Sequence, residues 1–289
     1  MASDPSNDAA GNSAWSRLCY SSWPSYLAVH PVGLRSAIRL WAGYGASLGV
    51  RAVRPRSAPS VGGLIPGRLP VTVSVLGFKA LVRPGTNDLD LLAHHEPATL
   101  EWFRVRPGDF VVDVGAHIGR YTLVAAQRGA TVVSIEPDSA NFDILEANVR
   151  LNGFSSVFLK PMAVSDSNGP RAFYPSRDAN RGTSSLVRRR PRGRAESAEG
   201  EVVDCKRLDD ILEIQGLQRI DWLKVDVEGH ELEVLRGARE SLSMTRHLAL
   251  EVTSTTESAC RDLTERAGFR LEAEERGHPA TNLLMGKGE

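Results

Sequence analysis

Cysteine is scarce in this chain, and its few copies are badly placed for any framework. Cys19, Cys205 and Cys260 are odd in number, widely separated and without a CxxC pair. That argues against a disulfide scaffold and a thiolate zinc cluster, and it fits a reducing compartment. A net field is missing too. Lys and Arg number 35, Asp and Glu number 35, so bulk charge draws the protein neither to nucleic acid nor to an acidic partner. Long apolar runs are also absent. The longest uncharged stretch near the N-terminus, residues 40–50, holds three glycines and a tyrosine, well short of the roughly 20 apolar residues that span a bilayer. Asp4 and Asp8 stand where a secretory leader would carry positive charge. A cytoplasmic protein without a transmembrane segment is expected.

The 289 residues leave room for one large domain and an extension. Residues 1–14 are polar and read as a disordered tail. Residues 15–53 interleave Trp15, Tyr20, Trp23, Tyr26, Trp41 and Tyr44 with Arg17, Arg35 and Arg39. They read as a helical cap packed on the main domain, with peripheral contact to a membrane surface as the alternative. A Pro/Gly/Ser-rich linker completes the extension at 54–69. The domain proper covers 70–289. Strands are predicted at 71–75, 78–82, 110–114, 131–135, 157–160, 222–225, 247–251, 269–273 and 281–285. Helices are predicted at 97–105, 119–128, 139–151, 230–241 and 255–266. Such alternation predicts an α/β fold, with a parallel-rich sheet covered by helices on both faces. Residues 162–218 break the rhythm. Strand-like runs at 171–174 and 201–204 flank the arginine-rich stretch 188–194, and the insertion reads as a substrate lid.

The densest information lies in residues 109–138, DFVVDVGAHIGRYTLVAAQRGATVVSIEPD. A strand ends in Asp113 and Gly115, a helix follows, and a second strand ends in Glu136. Two adjacent parallel strands deliver such residues to one sheet edge. Glu136 lies 21 positions after Gly115, where an acid accepts bonds from ribose hydroxyls. The loop Gly115-Ala116-His117-Ile118-Gly119 lacks the middle glycine of G-x-G-x-x-G, the one that admits a pyrophosphate. This favours an adenosine ligand without phosphates, S-adenosylmethionine, over NAD. Its carboxylate would take the open amides of the turn, and Asp113 its ammonium. Glu96, before the helix at 97–105, is a further candidate for that ammonium.

A second constellation is Lys224-Val225-Asp226-Val227-Glu228-Gly229-His230-Glu231. Alternation puts Lys224 and Asp226 on one face of their strand. Asp226, Glu228 and His230 are expected at its tip, on the same edge as Gly115 and Glu136, as an acid/base cluster.

DVGAHIGRYT, IEPD with Asn141 and Asn148, residues 163–166 (AVSD) and above all KVDVEGHELEVLRGA resemble the FkbM-type methyltransferases, over roughly residues 109–251. The resemblance implies a Rossmann-like class I fold with a seven-stranded, mostly parallel sheet, using S-adenosylmethionine to methylate a hydroxyl oxygen. It also implies that Asp113, Gly115 and Gly119 hold the methionine half, Glu136 the ribose and Ala163 one side of the adenine. Asp226 then stands at the transfer centre. His117 replaces a common asparagine in the loop. Either Asp226 or His230 takes the hydroxyl proton, or Asp226 and Glu251 share Mg²⁺ and acidify it. The expected acceptor is a small molecule, sugar or glycolipid. RNA ribose 2′-O-methylation and a non-catalytic cofactor-binding scaffold are the alternatives. Neutral net charge and an Asp-Val-Glu-Gly strand end count against nucleic acid. The oligomeric state is left open.

Overall fold

The computed structural model describes residues 29–53, 61–93, 96–176, 180–188, 200–213, 219–277 and 280–288. It begins with a short strand, β1 (His30–Pro31), and helix α1 (Leu34–Val53). A hairpin follows, β2 (Val71–Val75) and β3 (Phe78–Val82). Its turn residues Leu76 and Gly77 both have positive φ, the geometry that matches the right-handed twist of a two-residue hairpin. These three strands pair antiparallel in the order β1-β2-β3. Asn148 and Asn152 close the outer edge of β3, their Oδ1 atoms accepting the N–H groups of Leu81 and Lys79 at 2.6 and 2.8 Å. Those donors would otherwise be left unpaired.

Helices α2 (Asp88–Ala93) and α3 (Pro97–Trp102) lead into β4 (Phe110–Val114). Then come α4 (Arg120–Gln127), β5 (Thr131–Ile135), α5 (Ser139–Asn152) and β6 (Val157–Lys160). Asp138 caps α5 by accepting from the N–H groups of Ala140 and Asn141, satisfying two of its free donors. Strands β7 (Ala163–Val164), β8 (Gly169–Phe173) and β9 (Glu201–Lys206) form a separate small sheet, and α6 (Leu208–Glu213) follows. The remainder is β10 (Ile220–Val225), α7 (Glu231–Arg236), α8 (Arg239–Met244), β11 (Thr245–Thr253), α9 (Glu257–Arg266), β12 (Arg270–Arg276) and β13 (Ala280–Gly286).

The main sheet has seven strands in the order β12-β13-β11-β10-β4-β5-β6. Its pairs from β6 to β11 are parallel, and β13 runs antiparallel to both its neighbours. This is the Rossmann-like arrangement that the resemblance implies. Strand order reverses at β4, whose neighbours are β5 on one side and β10 on the other. A crevice opens beyond the strand tips at such a point. Side-chain alternation divides the core. Val111, Val132 and Trp222 pack under α4 and the β2–β3 hairpin, while Val112, Val133 and Leu223 pack under α6 to α9. Each of these buried side chains contributes about 1.5–3 kcal/mol. Cys205 and Cys260 are buried free thiols.

Three expectations need correction. The single helix over 230–241 is two helices, α7 and α8, broken at Gly237, where a Cβ would collide with the carbonyl oxygen of Ser165. Residues 61–65 are packed rather than linker-like. Val61 and Ile65 are buried, and Gly62 lies against the carbonyl of Thr86. Helices α2 and α6 were not foreseen, because six residues are too few to show a helical period. The tail at 1–14, the aromatics at 15–26, residues 54–60, His94 and His95, and 189–194 of the arginine-rich stretch lie outside the described residues.

Candidate active site

The tips of β4, β5 and β10 meet through their backbones. Gly115 and Ala116 N–H both donate to the Ile135 carbonyl, at 2.9 and 3.1 Å, and Asp226 N–H donates to that of Val114 at 3.0 Å. Gly115 has φ +82°, and a Cβ there would collide with the carbonyl oxygen of Asp226. Only glycine allows the first motif to touch the second this closely. Gly119, at φ +99°, serves packing instead: its missing Cβ leaves room for Leu145 Cδ1. Asp113, Gly115, Ala116, His117, Glu136, Ala163, Asp226, Glu228, His230, Glu96 and Glu251 all line one cavity of about 730 Å³. Gly119 stands just behind its wall. The two motifs share one edge of the sheet.

Four non-glycine residues adopt positive φ in the described structure, and three of them (Glu96, His117 and Glu228) line this cavity. Side chains rarely tolerate that conformation, which costs on the order of 1–3 kcal/mol and gathers at functional sites. The strain marks the cavity independently of any motif.

Glu136 is buried, and its oxygens accept the N–H groups of His117 and Asp138 at 2.8 and 2.9 Å. The turn amides are therefore not as open as expected, since Gly115, Ala116, His117 and Gly119 donate within the protein. Burial pushes the Glu136 carboxyl up to about 8, although the two backbone donors oppose it. An acid whose folded value is raised stabilises the fold below its unfolded value, near 4.5, and loses that contribution as pH rises through 8. The melting temperature of the free protein is expected to fall by roughly 5–10 °C between pH 6 and 9, with a flatter profile in Glu136→Gln. Calorimetric scans across that range check this; parallel profiles for parent and variant would reject it.

Asp113 is buried and accepts from Thr122 Oγ1 at 2.6 Å; Thr122 in turn meets Ser134 Oγ at 2.6 Å. Burial pushes its carboxyl up to about 6, opposed by Thr122 and by Lys224. Lys224, beside Asp113 across the β4–β10 pair, is almost fully buried. Its Nζ lies 3.6 Å from Asp226 Oδ2 and 5.2 Å from the centre of the Tyr121 ring. Burial opposes charge on this ammonium, but Asp226, Glu96, Glu251 and Asp113 together hold it above the usual lysine range. Glu96 accepts from Tyr121 Oη at 2.6 Å and from Asn282 Nδ2 at 3.0 Å. Burial, Asp226 and a hydrogen bond to Glu96 push the Glu251 carboxyl well up. Carboxylate oxygens of Glu96, Asp226 and Glu251 all lie within 4.8 Å of one another.

His230 sits in another part of the wall. Its Nε2 meets Ser165 Oγ at 2.9 Å and its Nδ1 lies 3.6 Å from Glu233, with burial lowering its affinity for a proton. Glu231 is spent on the fold, accepting from Gly229 N–H and Thr256 Oγ1 at 2.5 and 2.8 Å. The insertion reaches the site as well: Ser184 Oγ donates to Asp138 at 2.9 Å, Ser185 Oγ to the Glu228 carbonyl at 2.9 Å. Arg188 stands over the Tyr174 ring at 6.0 Å. Tyr121 and Asn282 were missed from sequence. Tyr121 lies within DVGAHIGRYT but had no role assigned there, Asn282 lies in no motif, and only the α4 and β13 positions bring them to Glu96.

The family model for the methyltransferase FkbM domain matches residues 113–271. Methyltransferase sdnD of Sordaria araneosa is 34% identical over 169 residues, 49% of this chain and 65% of that protein. The 31-O-demethyl-FK506 methyltransferase FkbM of Streptomyces tacrolimicus is 32% identical over 162 residues, 47% of this chain and 62% of that one. Hexuronic acid methyltransferase AglP of Haloferax volcanii is 30% identical over 145 residues, 50% of this chain and 56% of that protein. The chain thus spans between about half and two thirds of the length of these relatives. No helix among the described residues is long and apolar enough to cross a membrane.

Proposed function

This chain belongs to the FkbM methyltransferase family, and from that premise we propose that it methylates a hydroxyl oxygen of a small molecule, sugar or glycolipid, using S-adenosylmethionine. One observation carries the reading: the Gly115–Gly119 turn, Glu136 and Asp226 line a single cavity at the strand-order reversal. Its volume suits a ligand of nucleoside size. The residues present fit the cofactor. Glu136 keeps lone pairs for two ribose hydroxyls, and Ile135, Met162, Ala163 and Val164 offer an apolar wall to the adenine. Asp113 would hold the methionine ammonium. Ala116 and His117 would shape the turn around that half, and Glu96, on the same cavity wall, would be a second partner for the ammonium.

The sulfonium supplies a methyl group that is already activated. The protein's share is then alignment and removal of one proton. We assign that proton to Asp226 Oδ, with the Lys224 ammonium holding negative charge on Asp226. Glu228 and His230 shape the wall beside the transfer centre. The distal lining includes Asp90, Glu96, Glu251, Glu275, Arg276 and Asn282, a density of hydrogen-bonding groups suited to a polyhydroxylated acceptor. Two relatives are named for a hexuronic acid and for 31-O-demethyl-FK506, which supports an oxygen acceptor. Residues 180–186, within the 162–218 insertion, act as the lid, pinned by Ser184 and Ser185.

Mg²⁺ does not fit the Glu96–Asp226–Glu251 cluster. The oxygens suit a hard ion, but the Lys224 ammonium already stands 3.6 Å from Asp226 and supplies the cluster's counter-charge. Calorimetric titration with S-adenosylmethionine, then transfer of its labelled methyl group into a cell extract, tests the reading. Absence of binding removes it, and binding without transfer to any acceptor leaves only a scaffold.

A further inference from the structure

Helix α1 has two apolar faces, and the described residues cover only one. Leu40 and Tyr44 point inward, and Gly43 lets the backbone of Ile65 approach. On the other face Leu34, Ile38, Trp41 and Leu48 are 77, 62, 57 and 44% exposed. Their spacings of four, three and seven residues place them within an arc of about 80° at 100° per residue. Leu69, also strongly exposed, follows the turn that Arg39 clamps through the Pro66 carbonyl at 2.7 Å. Scattered surface hydrophobics are ordinary; an ordered stripe on one helix face is not.

Charge on the chain is divided just as sharply, although it sums to zero. Between Asp8 and Asp88 there is no acidic residue at all, while nine basic residues from Arg17 to Arg83 fall in that interval, of which Arg83 pairs with Asp88. Residues 88–289 carry 33 of the 35 acids against 26 bases. The exposed stripe therefore lies in the region that holds the whole positive excess.

We propose that α1, set within this basic stretch of the chain, docks the protein on an anionic lipid surface. Trp and branched aliphatic side chains suit the boundary between headgroups and acyl chains, and the arginines suit anionic headgroups. The two features need each other here, since a single short stripe binds lipid weakly. A polyanion such as RNA would answer the charge but leave the stripe in water. A second copy would set the positive region of one molecule against that of the other.

Sedimentation of the full chain with vesicles tests this without reference to catalysis. Phosphatidylcholine vesicles containing roughly one third phosphatidylglycerol should bind it at least about tenfold more tightly than phosphatidylcholine alone, and high salt should remove the difference. The double variant Ile38→Ser/Trp41→Ser should weaken binding about tenfold while the protein still unfolds cooperatively, since both side chains are more than half exposed and Trp41 touches the domain through Tyr44. Failure to sediment with the anionic vesicles at low salt overturns the proposal. So does binding that the double variant leaves intact, which would mean charge alone. A concentration-dependent dimer abolished by the same variant, without vesicle binding, would give the stripe to a second copy.

Discussion

Asp226→Asn should bind S-adenosylmethionine within a few-fold of the parent protein while methyl transfer falls by roughly 10²–10⁴-fold. Asparagine keeps the size of the side chain and a carbonyl oxygen facing Lys224, but it has no basic lone pair for a hydroxyl proton. The fold should survive. Asp226 is 26% exposed at the cavity, and Lys224 retains Glu96, Glu251 and Asp113 as counter-charges. Cofactor affinity should move little, because the groups assigned to the ribose and methionine halves lie on β4, β5 and the loop after β4. Calorimetry and label transfer on the same preparation separate the two effects. Turnover equal to the parent would remove Asp226 from proton transfer, and joint loss of binding and turnover would make it a cofactor ligand.

Lys224→Met should be the most destabilising single change at this site, by about 3–5 kcal/mol near pH 8. Methionine fills similar volume, so the cost is electrostatic. The ammonium lies buried among Asp113, Asp226, Glu96 and Glu251, and removing it leaves their negative charge uncompensated. The sign of the pH dependence follows. Asp113 and Glu251 already titrate above their ordinary range, and loss of the cation raises them further. Raised acids stabilise at low pH and lose that contribution as pH rises. Denaturant midpoints of the variant should therefore approach those of the parent toward pH 5 and fall away toward pH 8. A variant as stable as the parent at pH 8 would show that Lys224 is not the counter-charge of this cluster.

Much of the framework was readable along the chain. The strands at 71–75, 78–82, 110–114 and 131–135 end at the residues expected. Each is a run rich in β-branched and apolar residues with a glycine, acid or proline within two positions of its end, so its limits are local. Asp113, Gly115, Gly119 and Glu136 could be placed on one rim for a similar reason, since a strand–turn–helix–strand unit leaves few geometries. The break at Gly237 was not readable. It depends on Ser165, 72 positions away in sequence, whose backbone approaches only after β7 has paired with β9.

Local chemistry along the chain thus determined which segments become strands, where the turns admit positive φ, and which acids stand at the strand ends. What those acids do was decided in three dimensions. Glu96, Lys224, Glu251 and Asn282 come from four distant segments, and no periodicity relates them. Sheet order lays β11 beside β10 and β13 beside β11, the turn before α3 brings in Glu96, and a buried ammonium is thereby set among carboxylates. Coulombic interaction depends on distance and local dielectric rather than on separation along the chain, so the charge balance of the cavity exists only once the sheet has formed.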